Sequence, residues 1–100
     1  MKPAIFDTEA RAELADAMEY YELQRPGLGG EFREEVEKAL HRIQGNPEFG
    51  APYKHTEQRR QAVRRFPFEI FYSVLPDRIW VAAIAHSKRR PDDWKGRHPE

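Results

Sequence analysis

The run Ile79-Trp80-Val81-Ala82-Ala83-Ile84-Ala85 constrains this chain more than any other stretch. It is apolar throughout, and strict alternation puts Trp80 and Ile84 on one face and Val81 and Ala83 on the other. A strand apolar on both faces belongs at the centre of a sheet. Just before it, Phe68, Ile70, Tyr72 and Val74 alternate with Glu69 and Ser73, which predicts a strand with one buried face. Pro76-Asp77-Arg78 supplies the turn between the two. Arg60 to Phe66 reads as a further strand with poorer alternation, and three strands on short links predict an antiparallel meander.

The first half carries a different period. Ala4-Ile5-Phe6 behind Pro3 reads as a short strand. Asp7 or Thr8 can cap a helix, because either side-chain oxygen can accept a free backbone N–H. Ala10, Leu14, Ala17, Met18 and Tyr21 then line one helical face, ending near Gln24 ahead of Pro26-Gly27. Leu28, Phe32, Val36, Ala39, Leu40 and Ile43 repeat that pattern up to Gly45-Asn46-Pro47. The short connector predicts an antiparallel helical hairpin, and helices with one apolar stripe each need a sheet to lie on. The expected order is β-α-α-β-β-β, an α+β fold. The hairpin covers one sheet face, and the far face and trailing end stay free.

With 100 residues and no Cys, the sequence reads as one domain spanning 1–100, with residues 88–100 as a basic tail. A chain of this size buries only about 65% of its unfolded surface. Lack of Cys excludes disulfide frameworks, thiol catalysis and Cys-based zinc sites. No apolar run is long enough to span a bilayer, and the start Met1-Lys2-Pro3-Ala4 shows no secretory pattern, so a cytoplasmic location is expected. Phosphate-loop, dinucleotide and zincin motifs are missing, and neither a metal nor a cofactor is expected. The zero net charge hides an asymmetry. Residues 1–50 carry 6 Lys/Arg and 11 Asp/Glu, and residues 51–100 carry 11 and 6. Such a divide predicts an acidic face and a basic face, the latter suited to phosphate or an acidic protein. A merely solvated basic surface is the plain alternative.

The order, length and punctuation resemble the RelE/ParE toxin superfamily of bacterial type II toxin–antitoxin systems, closer to its ParE-like branch. The similarity rests on Tyr20-Tyr21, Gly27-Leu28-Gly29-Gly30-x-Phe32 and the helix end at Asn46-Pro47. It rests further on Arg64-Arg65-Phe66-Pro67-Phe68-x-Ile70-Phe71-Tyr72, Ile79 to Ile84, and His86-x-Lys88-Arg89-x-Pro91-x-x-Trp94. The resemblance implies a four-stranded, mainly antiparallel sheet with the hairpin on one face. It implies a growth inhibitor in the bacterial cytoplasm, associated with plasmid stabilization and masked by a cognate antitoxin. No membrane partner and no sequence-specific DNA binding by this chain alone are expected. The targets it implies are DNA gyrase for ParE-like members and ribosome-bound mRNA for RelE-like endoribonucleases.

Metal-free RNA cleavage requires activation of the 2′-OH, stabilisation of the phosphorane and protonation of the leaving oxygen. In the RelE-like pattern, Arg89 matches the arginine after the last strand. The third-strand arginine position falls on Glu69, the second-strand lysines fall near Arg60 and Ala62, and the C-terminal tyrosine falls beside Trp94 or Lys95. That machinery is largely missing, which favours a toxin acting by protein contact. Arg89, His86 and Arg60 remain the best catalytic candidates, with His55, Glu57 and Glu69 as further titratable groups. For target or phosphate binding the candidates are Arg64, Arg65, Lys88, Arg89, Arg90 and Trp94.

Each candidate has a plainer role. Arg89 can pair with Asp92 or Asp93, and His86 can be a satisfied strand-end imidazole. Trp94 can staple the tail to the sheet as readily as it can stack on a base. Arg64 and Arg65 alternate along their strand, so one of them is expected to pair with the acidic helices. Tyr72 and Trp80 are expected in the core. Glu31, Glu34, Glu35 and Glu37 read as a solvated helix face with a Glu34–Lys38 pair. A degenerate toxin retained as an antitoxin-binding module is a further reading.

Overall fold

A computed structural model of the chain describes residues 1–53, 56–88, 94 and 96–99. The elements are β1 (Ala4–Phe6), α1 (Thr8–Gln24), α2 (Leu28–Gly45), β2 (Ala51–Pro52), β3 (Arg59–Ala62), β4 (Phe68–Val74) and β5 (Ile79–His86). They form one sheet in the order β1-β5-β4-β3-β2. β1 runs parallel to β5, and every other pairing is antiparallel. The sheet is therefore five-stranded and mixed, where four mainly antiparallel strands are expected from sequence. The added strand, Ala51–Pro52, has two exposed residues and offers no alternation to detect. The parallel pairing follows from the long helical connection, which carries the chain back to the same end of the sheet.

The hairpin covers one face of the sheet. The apolar faces of α1 and α2 meet Val63, Ile70, Tyr72, Ile79, Val81 and Ile84 in the main core. Asp7 caps α1 by accepting the Glu9 N–H at 2.9 Å. The start of α2 has no capping side chain of its own, and Gly27 sits there at φ 91°, a conformation glycine adopts at little cost. Glu22 of α1 supplies the missing acceptors, taking the N–H groups of Gly27 at 2.9 Å and Gly29 at 3.0 Å. Gly29 has a steric role as well. A Cβ there would sit 2.5 Å from the Met18 carbonyl, so the glycine lets the two helices approach.

A register shift between Phe71 and Tyr72 leaves Ala82 without a partner on β4. This bulge corrects the facing expected for β5. Val81 and Ile84 share the helix side, while Ala83 and Ala85 turn to the far side with Phe71. Phe68 pairs with His86, so His86 also faces the helices.

The far face is not free. Tyr53, Phe71, Ala83, Ala85 and Trp94 form a second buried cluster on it. Trp94 is 1% exposed, with its ring 4.7 Å from that of Phe71, and Tyr53 meets Phe71 edge-on at 5.0 Å. Trp80 is buried as expected.

β3 is shorter than the strand expected at Arg60–Phe66. Residues 63–67 form the turn into β4, closed by the Val63 N–H to the Phe68 carbonyl at 2.9 Å. Arg64 and Arg65 are thus turn residues, and Arg65 has φ 72°. Strand alternation does not apply to them.

Tyr72, on β4, reaches out of the main core to fix the connection after α2. Its hydroxyl donates to the Pro47 carbonyl at 2.7 Å and accepts the Gly50 N–H at 3.1 Å. Burial pushes its pKa up, which keeps the hydroxyl a donor. Tyr72→Phe should therefore destabilise the fold by about 1–3 kcal/mol, because a buried N–H loses its acceptor. Urea denaturation measures the change, and an unchanged midpoint would remove this tie from the account.

Candidate functional site

The sequence-predicted site residues divide among three places. Arg64 and Arg65 sit in the β3–β4 turn, and His86 and Lys88 sit at the end of β5. These two segments adjoin, because the Ser87 N–H donates to the Pro67 carbonyl at 2.8 Å. Arg60 lies on the far face, its guanidinium 5.9 Å from the Tyr53 ring centre and 3.6 Å from Glu69. Trp94 is in the far-face core, so it staples the tail and presents no open ring face for stacking on a target. Arg89, Arg90 and His55 lie outside the described residues, as do Lys54, Asp92, Asp93 and Lys95.

The sheet separates two of the catalytic candidates. His86 points to the helix side, edge-on to Phe68 at 5.4 Å, in a cleft that also contains Glu13 and Asp16. Arg60 points to the opposite side. A single reacting phosphate cannot touch both across a packed sheet. His86 Nδ1 accepts the Lys88 N–H at 3.1 Å, which leaves Nε2 as the ring's open position. Among the described residues, no group of three or more His, Cys, Asp or Glu side chains could hold a metal ion.

Electrostatics ties the acidic helices to the basic half. Arg65 donates to Glu31 at 2.7 Å and lies 3.6 Å from Glu35, so it is the turn arginine that pairs with the hairpin. The Arg65 hydrogen bond, helped by Arg25, holds the Glu31 carboxyl below its usual pKa, against a smaller opposing effect of desolvation. Lys38 reaches Glu35 at 3.8 Å instead of Glu34, and the i,i+4 pair on this helix is Arg33–Glu37 at 3.0 Å.

Sequence reasoning missed a second tie, made by Arg97. Its guanidinium bonds Glu13 at 3.1 and 3.2 Å, lies 2.8 Å from Glu9, and donates to the Ala82 carbonyl at 2.8 Å. Glu13 in turn accepts the Ile84 N–H at 3.1 Å. Together they satisfy backbone groups at the bulge, beyond the point where β1 stops covering β5. Burial opposes the charge on Arg97, but the hydrogen bonds and charge of Glu13, with Glu9 and Asp7, raise its pKa overall. Nothing local in the sequence marks this pairing, which spans 84 positions.

The Arg97 segment also borders a cleft of about 420 Å³ on the far face, lined by Gln58, Ser73, Leu75 and Trp80. Gln58 donates Nε2 to the Trp94 carbonyl at 3.4 Å, and its buried Oε1 has no donor.

A helical hairpin on a small mixed sheet agrees in general with a ParE-like fold. The family model for the ParE toxin of the type II toxin–antitoxin system parDE matches residues 4–91, and the chain belongs to that family. Nine chains of solved structures match it. One is the chromosomal ParDE toxin–antitoxin system from P. aeruginosa, at 19% identity and TM-score 0.75, covering 86% of this chain and 96% of that one. At that identity the likeness carries the fold. No curated protein matches.

Two outcomes follow from this geometry. Trp94→Ala should cost about 3–5 kcal/mol, as expected for removal of a buried ring, measured by urea denaturation. A loss below about 1 kcal/mol would mean that the far-face cluster contributes little. Glu31 has a lowered folded pKa, so its contribution is complete above its ordinary value of 4.5 and is lost as pH falls through the folded value. The stability gap between the wild type and Glu31→Gln should therefore close on acidification from about pH 7 to about pH 3, read as urea midpoints. A gap independent of pH would contradict the pairing with Arg65.

Proposed function

We propose that the chain is a growth-inhibiting toxin, a single domain in the bacterial cytoplasm, neutralised by a cognate antitoxin. It acts by binding a protein target such as DNA gyrase, as the ParE-like branch of the resemblance implies. The observation that carries this reading is the separation of Arg60 from His86 by the sheet, which denies them a shared acid–base site. Membership of the ParE toxin family supports the toxin role. No described helix is long and apolar enough to cross a membrane. Arg64 and Lys88, both exposed beside the β3–β4 turn, offer a contact surface of the sign that an acidic target requires. Arg89 and Arg90 follow Lys88 in the sequence.

The test is expression of the chain without a partner in bacteria, with supercoiling and mRNA ends mapped in the same cells. Loss of negative supercoiling with intact transcripts is expected, and Lys88→Glu should weaken the inhibition about tenfold through charge reversal at the contact. Cleavage across many transcripts would replace this reading with the ribosome-dependent endoribonuclease. Normal growth at good expression would favour the degenerate module.

A further inference from the structure

The cleft on the far face carries chemistry that the proposed contact surface does not use. It encloses about 420 Å³, within the range of about 300–1,000 Å³ typical of small-ligand sites. Two of the residues lining it, Ser73 near the end of β4 and Trp80 near the start of β5, face each other across the strands. The β3–β4 turn and His86 lie at the opposite end of those strands, so the cleft is separate from Arg64 and Lys88.

Ser73 is only 8% exposed, yet no group among the described residues hydrogen-bonds its hydroxyl. The exposure it keeps is toward the cleft, where a ligand can reach it. A nearly buried hydroxyl without a partner forfeits free energy that a partner in the cleft restores. Glu57 lines the same cleft, is exposed, and pairs with no cation among the described residues.

The other polar lining groups are committed. Glu13, Glu9 and the Ala82 carbonyl take the Nη atoms of Arg97, and its Nε is shut away from water. Gln58 donates Nε2 to the Trp94 carbonyl, and its buried Oε1 is out of a ligand's reach. Thr56 donates to the Tyr53 carbonyl and accepts the Gln58 N–H. What the cleft leaves open is a carboxylate and a hydroxyl, both acceptors, with the exposed His98 beside them.

We infer that this cleft binds an organic cation, an alkylammonium or alkylguanidinium group on an aliphatic stem. Glu57 takes the charge, Ser73 accepts an N–H, and Leu75, Trp80 and Pro99 line the stem. An anion is repelled by Glu57 and finds no open guanidinium, since that of Arg97 is taken. A wholly apolar ligand leaves the Ser73 hydroxyl unpaired. Such a cation comes either as a free amine or as the Lys or Arg side chain of a protein.

The experiment titrates the full chain with butylammonium, with butylguanidinium, and with capped tripeptides that have Lys or Arg at the centre. Inorganic phosphate is the anionic comparison. The backbone amide signals of Ser73 and Trp80 are followed by NMR. Saturable shifts at millimolar cation are expected. Glu57→Gln, a change on an exposed side chain, should weaken binding about tenfold through loss of a charge-assisted hydrogen bond. Ser73→Ala should weaken it about threefold and unfold at the same or higher urea concentration, because the hydroxyl has no partner in the folded chain. Glu34→Gln, on the outer side of α2, should leave binding unchanged.

Tighter binding of the tripeptides than of the simple cations would support the site and assign it to a protein side chain. The reverse order would support it as a site for a free amine. Phosphate binding as tight as that of the cations would overturn the charge assignment. Absence of a saturable shift, or binding undiminished in Glu57→Gln, would overturn the site.

Discussion

The strand Ile79–His86 must be covered twice. Seven of its eight residues are buried, and neither of its faces tolerates water. Burial of its Ile and Val side chains contributes about 1.5–3 kcal/mol each, enough to dictate what packs on either side. The helical hairpin covers one face with Phe32, Val36, Ala39 and Ile43. On the other face, Tyr53 from the loop after β2 and Trp94 from beyond β5 meet over Phe71. Trp94 is therefore part of the sheet's cover.

The charge asymmetry between the halves serves folding as well as recognition. Glu31 and Glu35 of α2 hold Arg65 of the β3–β4 turn, and Glu9 and Glu13 of α1 hold Arg97 of the tail. Each pair bridges elements that the helical connection keeps far apart in sequence. Two of the seven cations in the described second half, Arg65 and Arg97, are neutralised this way. Arg64 and Lys88 stay exposed at the sheet's end. The proposed contact surface thus lies where the internal pairing leaves off.

Much of the fold was legible because its signals are periodic and long. The apolar spacing of Ala10 to Tyr21 and of Phe32 to Ile43 marked both helices, and the alternation of Phe68 to Val74 marked β4. The misses have local causes. Ala51–Pro52 is too short to show a period. The bulge at Ala82 inverts alternation in the middle of β5, and only the register against β4 reveals it. The strand at β3 stops early because Arg65 adopts a left-handed conformation. Of the site, the sequence marked the basic turn and the strand end but not their partners. That one of Arg64 and Arg65 pairs with the helices was foreseeable from charge. That the helix-end Arg42 has two buried nitrogens without a hydrogen-bond partner was not, since a helix-end arginine ordinarily reads as solvated. Trp94 could have been read as core, because a lone large ring after a charged segment needs cover of its own.

The double cover of β5 is tested most directly by proton contacts across the far face. In a nuclear Overhauser spectrum, the Trp94 indole should give strong cross-peaks to the Phe71 ring and to the methyls of Ala83 and Ala85. Those methyls should also be shifted by the ring current. An indole with random-coil shifts and no contact to these side chains would contradict the account, because β5 would then lack its second cover.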